Sequence, residues 1–76
     1  MNTPTIIIVH QDVPGMIAKV TDILSKFNIN IAQMNVTREK AGKKAIMIIE
    51  VDSRQCEHAI PEIENIPHLH NITFFN

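Results

Sequence analysis

Short, mostly β-branched apolar runs in this chain alternate with segments whose apolar residues recur every three or four positions. The runs over 5–10 and 45–51 are typical of buried strands, and the alternation over 29–38 predicts a further strand. Apolar residues between 5–10 and 29–38 are spaced to share one face of a helix. They are Met16, Ile17, Val20, Ile23, Leu24 and Phe27.

Two irregularities are expected in these elements. In the strand over 29–38, apolar residues occupy odd positions up to 31 and even positions from 34, which predicts a β-bulge near Ala32 and Gln33. At the helix start, Asp12 or Val13 would be the N-cap, and Pro14 would suit the first turn, where its missing N–H loses nothing.

A second helix and a last strand follow the run over 45–51. Asp52 and Ser53 are expected to cap the helix, and Pro67 to end it. Pro61 lies inside the helical pattern, so the helix is either bent or starts late. A short strand is expected over 69–75. The apolar face of this helix is formed by Cys56, Ala59, Ile60, Ile63 and Ile66.

The order β-α-β-β-α-β predicts an α+β, ferredoxin-like domain over residues 1–76, with a four-stranded antiparallel sheet and both helices on one face. Both faces of the two central strands are apolar, because Ile6 and Ile8 alternate with other apolar residues. Residues 46–49 are also all apolar, so the second of these strands has apolar side chains on both faces. The uncovered face is therefore a candidate interface, and the alternative is that these isoleucines are merely tolerated at the surface.

Composition narrows the possible functions. A net charge of −1 gives no electrostatic reason to expect binding to nucleic acid or an anionic membrane. Only Phe27, Phe74 and Phe75 are aromatic, so a base-stacking platform is not expected. No apolar run is long enough to span a membrane, and the first four residues do not resemble a signal peptide. The single cysteine, Cys56, fits the reducing cytoplasm.

No catalytic or metal site is predicted within these residues. Cys56 and His58 are two positions apart on a predicted helix and point in different directions. His68 and His70 could form a metal pair on alternate strand positions, but the spacing supplies no third ligand. Glycine-rich phosphate-binding loops are absent from the sequence, so no cofactor is expected in this chain.

Spare hydrogen-bonding groups gather at the two ends of the first helix. Backbone N–H groups from Val13 to Met16 would favour a carboxylate, and Asp12 would accept from an ammonium group. Gly15 allows close approach of a ligand, and the Asn30 amide can both donate and accept. The candidate binding residues are His10, Asp12, Val13, Gly15, Met16, Asn30 and Ile31. Taken singly, these residues also fit ordinary roles at the ends of strands and helices.

These groups cannot surround one small ligand within a single chain. The helix over 14–27 is about 20 Å long, and a right-handed crossover makes the strands on either side of it parallel. His10 and Asp12 therefore lie at the opposite end of the domain from Asn30. Two chains related by a twofold axis would bring the two ends together, so the site is expected at a dimer interface.

The whole chain resembles an ACT domain. The residues that carry the resemblance are His10-x-Asp12-x-Pro14-Gly15-x-Ile17, Asn30-Ile31, Gly42, Asp52 and Ile66-Pro67. ACT domains are regulatory modules that bind small molecules and are usually paired and attached to metabolic enzymes. In the serine-sensing ACT domains of D-3-phosphoglycerate dehydrogenases, a histidine and an asparagine match His10 and Asn30, whereas Asp12 replaces a further asparagine.

The chain more closely resembles the C-terminal ACT domain of the β subunit of bacterial iron–sulfur L-serine dehydratases. The matching segments are 8–15, 34–39 and 66–71. This resemblance implies a parent enzyme that converts L-serine to pyruvate and ammonia with a [4Fe-4S] cluster, whose ligands lie elsewhere because one cysteine cannot hold it. It implies a regulatory domain that binds L-serine or a related amino acid as a homodimer, next to a catalytic subunit or domain. The alternative is an assembly module that binds no ligand.

Overall fold

The computed structural model describes residues 3–76 and has the predicted ferredoxin-like α+β fold. The strands and helices follow the order expected from the sequence. They are β1 (Thr5–Gln11), α1 (Met16–Lys26), β2 (Ile31–Arg38), β3 (Lys44–Val51), α2 (Ala59–Glu64) and β4 (Leu69–Phe75).

The sheet has the order β2-β3-β1-β4, with antiparallel pairing between neighbours. Because β1 and β2 are both antiparallel to β3, they run parallel to each other, as the crossover rule predicts. The pairing of β2 with β3 shifts register between Ile31 and Gln33. This shift confirms the bulge predicted from the change of phase in the apolar pattern.

The core lies between one face of the sheet and the two helices. Alternate residues of β1 and β3, such as Ile6, Ile8, Met47 and Ile49, are fully buried. On α1, the buried residues Met16, Val20 and Leu24 recur every four positions, so one stripe of the helix contacts the sheet. Three other buried side chains come from α2 and the turn before it, namely Cys56, Ala59 and Ile63.

The start of α1 differs from the prediction. Its N-cap is Gly15, which has a φ of 89° and offers no side chain to cap the helix. Asp12 and Val13 are therefore not caps, and Pro14 lies in the preceding turn. The physical reason is that the Asp12 carboxylate is bound by the β2–β3 hairpin instead, and only glycine adopts this positive φ without strain.

The second helix starts late, which was one of the two expected outcomes for Pro61. It begins at Ala59, and Pro61 occupies its first turn, where a missing N–H is tolerated. The prediction that Asp52 and Ser53 cap this helix is wrong. Asp52 accepts a hydrogen bond from Asn30, and the Ser53 hydroxyl accepts one from the Gln55 backbone within the turn that precedes α2.

Neither α1 nor α2 covers the other face of the sheet. Ile46 and Ile48 of β3 are 40% and 39% exposed, and Ile7 and Val9 of β1 are half-buried beside them. We call these four residues the apolar centre of the outer face. Its presence confirms the expectation of an apolar sheet surface opposite the core.

Candidate functional site

A depression of about 470 Å³ lies at the N-terminal end of α1. It is bounded by the end of β1, the loop that follows, the first turn of α1 and Val36 of β2. Most of the predicted binding residues line it, which brings the loop residues together as expected. They are His10, Asp12, Val13, Gly15 and Met16.

His10 is the one polar residue in the buried core of the described chain, with 2% of its surface exposed. Its Nδ1 lies 2.9 Å from the backbone oxygen of Gln11. Because a carbonyl oxygen can only accept, Nδ1 carries the hydrogen of this bond, and in the uncharged ring Nε2 is then an acceptor. Nε2 is buried without a hydrogen-bond partner within residues 3–76. Such a group typically costs about 1–3 kcal/mol of stability, so its retention suits a ligand-binding role.

The first turn of α1 offers a second set of unused groups. Among residues 3–76, no side chain caps this end of the helix, and no acidic residue lies in the first turn. Lys19 donates to the Gly15 carbonyl, so the N–H groups of residues 16–18 precede the first bond of the helix ladder. Together with the helix dipole, these N–H groups favour an anion such as a carboxylate.

Asp12 connects the loop to the β2–β3 hairpin. Its Oδ2 accepts from Arg38 Nη1 at 2.7 Å and from the Gly42 backbone N–H at 3.2 Å, and its own N–H donates to the Lys43 carbonyl at 2.6 Å. The hydrogen bond from Arg38, followed by the one from Gly42, holds the pKa of Asp12 below its ordinary value. Oδ1 has no partner within the described part of the chain and can accept a further hydrogen bond.

The lowered pKa of Asp12 predicts how the stability of the fold depends on pH. Its bonds stabilise the fold fully above the ordinary pKa of 3.8, and this contribution is lost as the pH falls through the lower, folded-state pKa. In urea titrations followed by circular dichroism, Asp12→Asn should therefore be less stable than the wild type at pH 7, with the gap closing towards pH 2. Asp22→Asn, on the exposed side of α1, is the matched control. A gap that stays constant with pH would contradict the assignment.

The remaining predicted residues, Asn30 and Ile31, line a second depression of about 450 Å³ at the other end of α1. Asn30 Nδ2 donates to Asp52 Oδ2 at 2.7 Å. Asn30 Oδ1 has no partner among residues 3–76 and can accept from a ligand. The contact with Asp52 was not predicted, although Asp52 follows β3, Asn30 precedes β2, and Ile31 pairs with Val51.

Both depressions open on the same side of the domain. Along α1, Ile17 lines the first depression, and Thr21 and Ser25 line the second. These residues are four positions apart and form one stripe of the helix. On the edge strand β2, Val36 lines the first depression and Ile31 the second. We call this side, formed by α1 and β2, the α1–β2 flank.

Cys56 and the other histidines do not line either depression. Burial, and secondarily Glu57, raises the pKa of the Cys56 thiol, which also donates to the Ser53 carbonyl. His68 Nδ1 lies 3.2 Å from Gln11 Oε1. Within residues 3–76, no group of three potential metal ligands occurs, and no helix is long and apolar enough to cross a membrane.

Comparisons with known proteins place these features in a family. The ACT-domain model matches residues 4–68. The probable L-serine dehydratase β chain of Bacillus subtilis is 40% identical over 72 residues, which cover 95% of this chain and 33% of that protein. D-3-phosphoglycerate dehydrogenase of Methanocaldococcus jannaschii is 36% identical over 70 residues, covering 92% of this chain and 13% of the relative. The chain therefore spans a third or less of these two relatives.

Solved structures share the fold at lower sequence identity. The small subunit of acetolactate synthase from Thermotoga maritima superposes with a TM-score of 0.78 at 14% identity, covering 97% of this chain and 47% of that chain. The ligand-free regulatory subunit of aspartate kinase from Thermus thermophilus superposes with a TM-score of 0.77 at 17% identity, covering 96% of this chain and 50% of that chain.

Proposed function

The chain belongs to the ACT-domain family, and on this premise we propose that it is the amino-acid-sensing module of an L-serine dehydratase. In this proposal, L-serine or a related amino acid binds between two copies of the domain. The observation that carries it is the buried, unpartnered Nε2 of His10 beside the uncapped first turn of α1.

The α1–β2 flank supports a site shared by two copies. A twofold axis perpendicular to the sheet and beside the edge strand β2 would set two flanks side by side in opposite directions. The depression with His10 on one copy would then face the depression with Asn30 on the other. Ile17 and Val36, which are 46% and 37% exposed, would be covered by the same contact.

Each ligand group has a partner of suitable chemistry in this arrangement. The carboxylate would bind the N–H groups at the start of α1, and the ammonium would donate to Asp12 Oδ1 and to Asn30 Oδ1 of the other copy. A serine hydroxyl would donate to His10 Nε2, which requires the loop after β1 to shift enough to expose this buried atom. Alanine lacks this hydroxyl and is expected to bind more weakly, because Nε2 would stay unsatisfied.

The proposed parent is a cytoplasmic L-serine dehydratase whose catalytic part lies outside this chain. Any [4Fe-4S] cluster would be held there, because one buried cysteine does not fit a four-thiolate site. A D-3-phosphoglycerate dehydrogenase is the second candidate parent, since relatives of that class share 36–40% identity. The amino-acid site would be the same in either case.

Calorimetric titration with L-serine, D-serine, glycine and L-alanine tests the proposal, and L-serine is expected to give the strongest binding. Asn30→Ala should weaken that binding at least about tenfold, because it removes an acceptor for a charged group. Asp52→Ala is the matched control: it removes the same bond within the chain but keeps Asn30 Oδ1, so the affinity should change less than about threefold.

The contrary hypothesis is an assembly module without a ligand. A chain shown to be dimeric that gives no heat with any of these amino acids would favour that hypothesis and overturn the proposed function. Equal losses for Asn30→Ala and Asp52→Ala would assign Asn30 a purely structural role.

A further inference from the structure

The outer face of the sheet has an ordered pattern around its apolar centre. In the centre, Ile7 pairs with Ile48 and Val9 pairs with Ile46. Polar side chains flank it on the edge strands, with Asn35 and Thr37 on β2 and Asn71 and Thr73 on β4. Phe75, which is 54% exposed, lies on the same face beyond Thr73, at the end of β4. An apolar centre within a polar rim is the usual composition of a specific protein interface.

The charges on this face are placed with the same regularity. On β3, Lys44 precedes the two exposed isoleucines and Glu50 follows them, so one positive and one negative charge lie at opposite ends of the apolar centre. Neither residue forms an ion pair with another described residue. If a second β3 strand lay opposite this one in the reverse direction, its Glu50 would lie opposite Lys44 and its Lys44 opposite Glu50.

We propose that the outer face binds a second copy of this chain, face to face. The twofold axis would lie between the two sheets and run perpendicular to the strands. Each strand then faces its own counterpart in the opposite direction, so Lys44 meets Glu50 of the second copy and the reciprocal pair forms at the other end. Ile46 faces Ile48, and Ile7 faces Val9, so apolar residues meet apolar residues.

The size of the face is consistent with this occupant. Four strands of seven to eight residues cover roughly 500 Å² on each copy at ordinary strand spacing and rise. The two copies together would bury about 1,000 Å², which reaches the lower limit for a specific interface. We therefore expect a dimer that dissociates measurably rather than a permanent one.

This interface differs from the one proposed for amino-acid binding. The outer face is opposite to the core and helices, whereas the ligand site lies on the α1–β2 flank. Face-to-face pairing leaves both depressions open and does not depend on any ligand. With both interfaces formed, the chain would assemble beyond a dimer.

Sedimentation equilibrium of charge variants tests the pairing. The measurements use the Thr21→Arg background, in which a long charged side chain on the flank blocks the other interface, so that only face-to-face association remains. Lys44→Glu and Glu50→Lys should each raise the dissociation constant at least about tenfold, because each turns two attractive pairs into repulsive ones. The double variant should return to within about threefold of its background.

Two further variants complete the experiment. Ile46→Lys should abolish association. Glu64→Lys, which changes the charge by as much as Glu50→Lys but on exposed α2, should leave association unchanged. A background that is monomeric at all accessible concentrations would overturn the proposal, as would charge substitutions whose effects add in the double variant. Either result would leave the amino-acid site untouched, because calorimetry on the wild type tests that site separately.

Discussion

Replacing His10 with leucine is expected to abolish most amino-acid binding while leaving the domain as stable as the wild type. The unpartnered Nε2 is buried in the folded chain, so removing it relieves a desolvation cost. Loss of the bond between Nδ1 and the Gln11 carbonyl offsets this gain. The free energy of unfolding should therefore change by less than about 1 kcal/mol, whereas L-serine affinity should fall about tenfold to hundredfold.

Both quantities are needed to interpret this variant. Calorimetry gives the affinity, and urea unfolding followed by circular dichroism gives the stability, since the chain contains no tryptophan or tyrosine. His58→Leu, at the exposed N-cap of α2, is the matched control and should bind normally. A large loss of stability in His10→Leu would instead identify His10 as a structural residue.

Truncating Ile49 is expected to have the largest effect on stability. Its side chain is fully buried against the helices, and such substitutions by alanine cost about 2–5 kcal/mol. A chain of this length has a total stability of only about 5 kcal/mol. Ile49→Ala should therefore be largely unfolded in mild urea.

The neighbouring Ile48 provides a matched control within the same strand. It is 39% exposed on the outer face, so Ile48→Ala should cost less than about 1 kcal/mol when measured at concentrations too low for association. A shift of one residue would exchange the two faces of the strand. A larger loss of stability for Ile48→Ala than for Ile49→Ala would therefore mean that the register of β3 is wrong.

The sequence was sufficient for the elements whose patterns are local. The shift of phase between positions 31 and 34 predicted the β2 bulge, because each strand residue changes face in turn. Pro61 likewise predicted an altered helix, because its effect on the backbone depends only on adjacent turns. The separation of Asn30 from His10 followed from the length of α1 and the handedness of the crossover.

Contacts between distant segments could not be predicted in the same way. Asp12 is of a residue type that is common at helix N-caps, but its actual partner, Arg38, is 26 positions away. The two meet because the pairing of Gln11 with Lys44 sets the β2–β3 hairpin beside the loop. The positive φ of Gly15 arises at this loop, and no local pattern distinguishes it from a glycine in an ordinary helix start.

The Asp12 contacts also connect the proposed site with the rest of the sheet. A ligand ammonium near Oδ1 would alter the charge balance of the carboxylate that Arg38 and Gly42 hold through Oδ2. The hairpin joins β2, an edge of the α1–β2 flank, to β3, which carries the outer-face charges. The Asp12 contacts therefore link the proposed site to the hairpin that lies between the two proposed interfaces.

Mixing two binding-deficient variants tests the shared site most directly. In a heterodimer of His10→Leu and Asn30→Ala, one site carries both substitutions and the other carries neither. Random pairing makes half of the dimers mixed, so the mixture should regain about a quarter of the wild-type sites at wild-type affinity. A mixture that binds no more L-serine than the separate variants would contradict a site built from two chains.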